Sequence, residues 1–174
     1  MKLLFPLLLA LALAGCVQVN HAPLPADWPP LVALAQPAGL NGRYEGPLRE
    51  MSLFASVFFP PAVVLDGKLQ FLPAGFRITA TADTVIVEAL RRDGTVLAVE
   101  QRPARRADGG LLVERRTAGR EGLSAATYRD AWLLQPNAAG ELVVRHVSAS
   151  AGILFPVPVT SQRTAWWRLQ RSAD

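Results

Sequence analysis

Few residues in this chain could do chemistry, and their spacing limits what they could do. Cys16 is the single cysteine, which excludes an internal disulfide framework and any multi-cysteine zinc site. Of the two histidines, His21 falls in a proline-rich stretch. His146 falls in the alternation Leu142, Val144, His146, Ser148, where it reads as a packed or rim side chain rather than a base or ligand. No His/Cys metal cluster can be assembled from so few donors. Gly122-Leu123-Ser124-Ala125-Ala126 lacks the second glycine of a nucleophile elbow, so Ser124 reads as a loop serine. Glu88 and Glu100 could pair across strands, although strand carboxylates of this kind are usually solvated. No dinucleotide fingerprint or P-loop occurs. The expectation is therefore no catalytic residue, no metal and no cofactor.

Cys16 is the exception, because of what precedes it. Lys2 supplies a positive charge, and Leu3 to Ala14 then runs without one. Twelve apolar residues fit the hydrophobic region of a signal peptide and are too few for a membrane-spanning helix, which needs about 20. The run ends Leu13-Ala14-Gly15-Cys16, which resembles the lipobox of bacterial lipoproteins. That resemblance implies diacylglyceryl transfer to the Cys16 sulfur, cleavage between Gly15 and Cys16, and acylation of the new amine. Residue 17 is Val rather than the Asp that in the proteobacterial pattern retains such proteins at the inner membrane. The resemblance thus implies an outer-membrane, periplasm-facing protein held by several acyl chains, since one chain alone binds a bilayer marginally.

The arginines form the second candidate feature. Only Lys2 and Lys68 are lysines among 18 basic residues, which face 14 acids for a net charge of +4. Residues 91–120 hold eight arginines and four acids, so the excess positive charge is local. Arg105, Arg106, Arg115 and Arg116 are the candidate anion-binding residues, with Arg105 and Arg106 expected in a connecting loop. Nucleic acid is not an expected partner for an exported chain. Phosphates of lipid headgroups suit arginine's planar fork, and an envelope protein is the other partner considered.

The elements that must position these residues read as β. Gly42 and Tyr44 alternate with Arg43 and Glu45, Phe76 and Ile78 with Arg77 and Thr79, Trp167 and Leu169 with Arg168 and Gln170. This period of two marks strands with one buried face. Asp66-Gly67 and Asp93-Gly94 separate apolar runs and predict tight hairpins. Asp108-Gly109-Gly110 and Asn137 to Gly140 predict longer turns. One short helix is predicted near 47–58, where Met51, Phe54, Ala55 and Phe58 share a side and Pro60-Pro61 stops it. The domain plan is a signal peptide over 1–15, a proline-rich tether over 16–38, free or docked as a strap, and a β domain over 39–174.

Successive hairpins make an antiparallel meander. Eight or nine strands close best as a small barrel, because closure removes exposed edges; a β-sandwich is the alternative. Closure would bring the strand at Leu40 to Glu45 beside the one at Thr164 to Arg171, with Tyr44 and Trp167 inside. Gly42-x-Tyr44 resembles a weakened lipocalin glycine-x-tryptophan motif, and so implies lipocalin-like architecture. In lipocalins an arginine near the last strand covers the aromatic, a part open here to Arg163, Arg168 or Arg171. Apolar residues make up 51% of the 174 and charged residues 18%, which excludes a disordered chain. Two functions remain: a non-enzymatic, partner-binding or structural envelope lipoprotein, and a lipocalin-like binder of a small apolar ligand. A packed barrel interior favours the first; an apolar cavity of ~300 Å³ or more favours the second. The loop Ile153 to Val159 reads as a plug over a barrel end or as the rim of a ligand mouth.

Overall fold

Local turn chemistry sets the hairpins. Asp108 (φ 46°) and Gly109 (φ 76°) both sit in the left-handed region, the requirement of a two-residue type I′ turn. Ala107 and Gly110 pair across them. The predicted three-residue turn is therefore shorter, because Gly110 already belongs to the strand. At the Asp93-Gly94 turn the Thr95 amide donates to Asp93 Oδ1 at 3.0 Å. That bond holds the Asp93 carboxyl below its ordinary pKa. Asn137 Oδ1 likewise accepts from the amides of Ala139 and Glu141, both at 3.0 Å.

The structure is a computed structural model that describes residues 16–59, 64–65, 68–69, 73–121, 124–154 and 157–172. Asp66-Gly67 and Pro60-Pro61 lie outside them. The strands are β1 (Cys16–His21), β2 (Gly42–Glu45), β3 (Val64–Leu65), β4 (Lys68–Leu69), β5 (Gly75–Ala80), β6 (Thr84–Leu90), β7 (Val96–Ala107), β8 (Gly110–Glu121), β9 (Ser124–Pro136), β10 (Leu142–Leu154) and β11 (Val157–Ser172). The one α-helix among the described residues, α1, spans Leu48–Phe58, close to its predicted limits. Nine strands form one sheet in the order β1-β11-β10-β9-β8-β7-β6-β5-β2, and β2 also pairs with β11. The fold is mainly β and barrel-like. Eight strands close a circuit, sealed where Gln170, Arg171 and Ser172 partner Glu45, Tyr44 and Arg43. The ninth, β1, departs from a pure meander: it lies parallel to β11.

The chain divides into two compact units. The barrel unit comprises Leu24–Val113, Trp132–Arg145 and Trp166–Asp174. Its interior is packed. Leu40, Phe54, Phe58, Phe76, Leu134 and Leu169 are fully buried. Phe54 of α1 meets Phe76 of β5 at 4.9 Å between ring centres. Tyr44, also buried, donates its hydroxyl to the Leu40 carbonyl at 3.0 Å. Prolines 29 and 30 forbid a helix but leave neighbouring polar groups free to pair. Val32 N donates to Pro136 O at 2.9 Å and Leu34 N to Gly109 O at 2.7 Å. The Leu34 side chain is buried beneath. This stretch is thus a docked strap, stabilised by backbone pairing and by about 2 kcal/mol of leucine burial.

The sheet unit comprises Met1–Pro23, Glu114–Ala131 and His146–Ala165, described from Cys16. It holds β1 and the remaining portions of β8, β9, β10 and β11. Among its described residues no apolar side chain is buried; Thr164 is the one buried side chain, bonded to His21 Nδ1 at 3.2 Å. Ala, Ser, Thr and Arg dominate both faces, and branched apolar residues such as Val17, Val19 and Ile153 are exposed rather than packed into a core.

Candidate functional site

Alternation along the sheet unit sorts its side chains onto two faces. One face carries Arg115, Asp130, His146, Ser150 and Ser161. Arg115 donates to Asp130 Oδ2 at 3.3 Å, and His146 Nε2 lies 2.9 Å from Asp130 Oδ1. The Ser150 and Ser161 hydroxyls meet at 2.8 Å. A cavity of about 330 Å³ reaches Thr117, Tyr128, Asp130, Ser148 and Ser161. Asp130 is the residue that sequence reasoning missed. The signal was its place two residues from Tyr128 on a strand, on the same side as the neighbouring histidine and arginine.

A groove of about 760 Å³ adjoins this cavity and shares Tyr128, Ser150 and Ser161 with it; its lining also includes Val17 and Val19 of β1, Arg116 of β8 and Arg129 of β9. The Arg129 guanidinium is held by Glu114. Arg116 has no hydrogen-bond or ion-pair partner among the described residues. Val17 and Val19 are 74% and 54% exposed. Cys16 opens β1, with its backbone in register with Val159.

The four candidate arginines do not form one cluster on a loop. Arg105 and Arg106 belong to the barrel unit and lie within β7, partnering Leu112 and Leu111. The expected loop placement is corrected by the tight Asp108-Gly109 turn, which leaves both arginines in the ladder. Arg106 donates to the Leu34 carbonyl at 2.5 Å and so fastens the strap. Arg115 and Arg116 belong to the sheet unit, on opposite faces of β8. The candidate carboxylate pair is also not formed. Val87, not Glu88, partners Glu100, so the two carboxylates point to opposite faces. Glu88 instead pairs with Arg77 and Glu100 with Arg102.

In the barrel unit, Arg171 is the arginine that covers the Gly42-x-Tyr44 segment. A Cβ on Gly42 would lie 2.9 Å from its Nε, and its guanidinium donates to the Asn41 carbonyl. Burial pushes the Tyr44 pKa up, with Arg171 partly opposing. Arg168 lies over the Trp28 ring at 5.1 Å. Trp167 is buried, while the half-buried Trp166 meets the Arg145 guanidinium at 6.0 Å. Ser124 keeps only its backbone within the described residues, in β9 rather than a loop. The expected loop from Ile153 to Val159 is corrected: Ile153 and Leu154 end β10 and Val157 to Val159 open β11, because a proline at the start of a strand can be accommodated where its missing donor is not needed.

Among the described residues no group of three or more His, Cys, Asp or Glu is placed to hold a metal ion, and no helix is long and apolar enough to cross a membrane. No protein-family model, curated protein or solved structure matches the chain.

Proposed function

We propose that this chain is a lipid-anchored cell-envelope protein whose barrel unit is a packed scaffold and whose sheet unit binds an envelope partner without catalysis. The observation that carries this reading is the filled barrel interior. Tyr44, Phe54, Phe58 and Phe76 occupy space that a carrier would leave for ligand. A small barrel either holds one small molecule or is filled by side chains, and these side chains fill it. An opening of about 760 Å³ lies instead on the sheet unit. Anchoring rests on Leu13-Ala14-Gly15-Cys16 after a short apolar run. Outer-membrane residence rests on Val17 in place of an acidic residue.

The test is Cys16→Ser in the native host. The variant is expected to leave the membrane fraction or to accumulate unprocessed. The wild-type chain is expected to begin at Cys16 with the mass of its acyl groups. A wild-type N-terminus elsewhere, with the variant still in the membrane fraction, overturns the reading.

A further inference from the structure

We propose that the groove of the sheet unit is a binding site for an anionic phospholipid from the leaflet that holds Cys16. This rests on the lipid-anchor reading and states what the anchored end recognises. Register fixes the location. Cys16 partners Val159, and Val17 and Val19 follow opposite Thr160 and Gln162. A strand advances about 3.3 Å per residue, so both valines stand within roughly 10 Å of the anchor residue along β1. Ile153, also exposed at 53%, ends the same edge: β10 stops at Leu154, and β11 restarts at Val157, two residues before the partner of Cys16. An acylated Cys16 holds these apolar side chains at the headgroup boundary, where burying them in lipid is favourable.

The far edge of the groove has the opposite chemistry. Arg116 enters it from β8 without a partner among the described residues, beside Arg129. β1 and β8 are the two outer strands of this five-stranded unit. The groove therefore presents two exposed valines, among polar neighbours, beside the anchor and a cation across from it, which suits a molecule with acyl chains at one end and a phosphate at the other. Arginine's fork suits phosphate oxygens. The volume of about 760 Å³ lies in the range of small-molecule sites. By sequence the unit carries five arginines against three acids. Free phosphate would leave the valines unused, and a wholly apolar ligand would leave Arg116 unused.

The experiment uses the mature chain from residue 16 with Cys16→Ser, so that no acyl anchor contributes. Flotation compares vesicles of phosphatidylcholine with vesicles containing phosphatidylglycerol. Binding to the anionic vesicles is expected, weakening as salt rises. Arg116→Gln is expected to lower it roughly fivefold, and Arg116→Lys to restore part of the loss. Val17→Ser with Val19→Ser is expected to lower it at high salt as well. Arg92→Gln, at an exposed turn of the barrel unit, is expected to change nothing. Thermal melts check that each variant is folded. Equal flotation of Arg116→Gln and the parent overturns the proposal. So does complete competition by millimolar inorganic phosphate, or a vesicle-free dimer abolished by the valine changes. The lipid-anchor reading fails separately, on the N-terminal mass of the native protein.

Discussion

The barrel unit and the sheet unit share four strands and differ in what those strands bury. On β8, Leu111 and Val113 are buried, whereas Arg115 to Gly119 are all exposed. On β9, Trp132 to Leu134 are buried, whereas Thr127 to Arg129 are exposed. Both portions of each strand are extended, so strand conformation alone does not explain the difference. Each net bond contributes about 1 kcal/mol, but a ladder without an apolar face has little to offset the entropy of ordering its residues. The barrel unit gains its stability from side-chain burial. The sheet unit buries no apolar side chain among its described residues, so burial within the unit contributes little to its order.

The largest test of that contrast is truncation inside the barrel. Phe54→Ala removes a fully buried ring that touches Phe58 and Phe76, with an expected loss of about 3–5 kcal/mol. Tyr128→Ala, in the sheet unit at 48% exposure, is expected to change stability by less than about 1 kcal/mol. Urea unfolding measures both. Native-state hydrogen exchange sharpens the result, because the sheet-unit amides are expected to exchange through local opening well before the barrel amides. Similar losses for both variants would mean that the sheet unit has a core of its own.

Two glycines on β8 make a finer comparison. A Cβ on Gly110 would lie 2.5 Å from the Leu134 carbonyl oxygen, a backbone atom that cannot move aside cheaply. Gly110→Ala is expected to destabilise by about 1–3 kcal/mol. A Cβ on Gly119 would meet nothing nearer than Tyr128 Cε2 at 3.9 Å. Gly119→Ala is expected to be neutral or to stabilise by about 0.5 kcal/mol through the unfolded chain. The difference in urea midpoints between the two variants is the measurement.

Much of the barrel was legible in the sequence, and little of the sheet unit was. Asp108-Gly109 announced its tight hairpin because positive φ is chemically selective, whereas at Asp93-Gly94 only Gly94 takes positive φ and the turn between β6 and β7 is longer than the dipeptide predicts. The pairing of β2 with β11 followed from the need to leave no open edge, and Arg171 could be named among three candidates for the cover of Tyr44. Reading Gly110 as a turn residue displaced Arg105 and Arg106 into a loop, since composition does not say where a glycine run re-enters a strand. The division of β8 to β11 was hidden for another reason. Alternation reports strand, but Ala, Ser and Thr are compatible with either a covered or an open face. β1 was hidden because prolines at 23, 25, 29 and 30 drew the whole segment into one reading, although only the part after Pro23 needs them.

Tyr44 supplies the smallest expected effect and separates burial from hydrogen bonding within the barrel unit. Tyr44→Phe removes the 3.0 Å bond to the Leu40 carbonyl, with an expected loss of about 1 kcal/mol at pH 7. The same change removes an ionisable group. Burial raises the Tyr44 pKa above its ordinary 10.0, the nearby Arg171 charge opposing but not cancelling it. Below pH 10 the phenol is protonated in both folded and unfolded chains, so its titration takes nothing from stability. As pH rises past 10 the unfolded chain releases this proton first and binds fewer protons than the folded one, so stability falls. Tyr44→Phe cannot lose stability this way. The gap between wild type and variant in urea unfolding is therefore expected to be constant from pH 7 to 9. It should narrow between pH 10 and 11. A gap that stays constant through pH 11 would mean that the phenol is solvated in the folded chain, and the barrel interior would then be less closed at β2 than its packing implies.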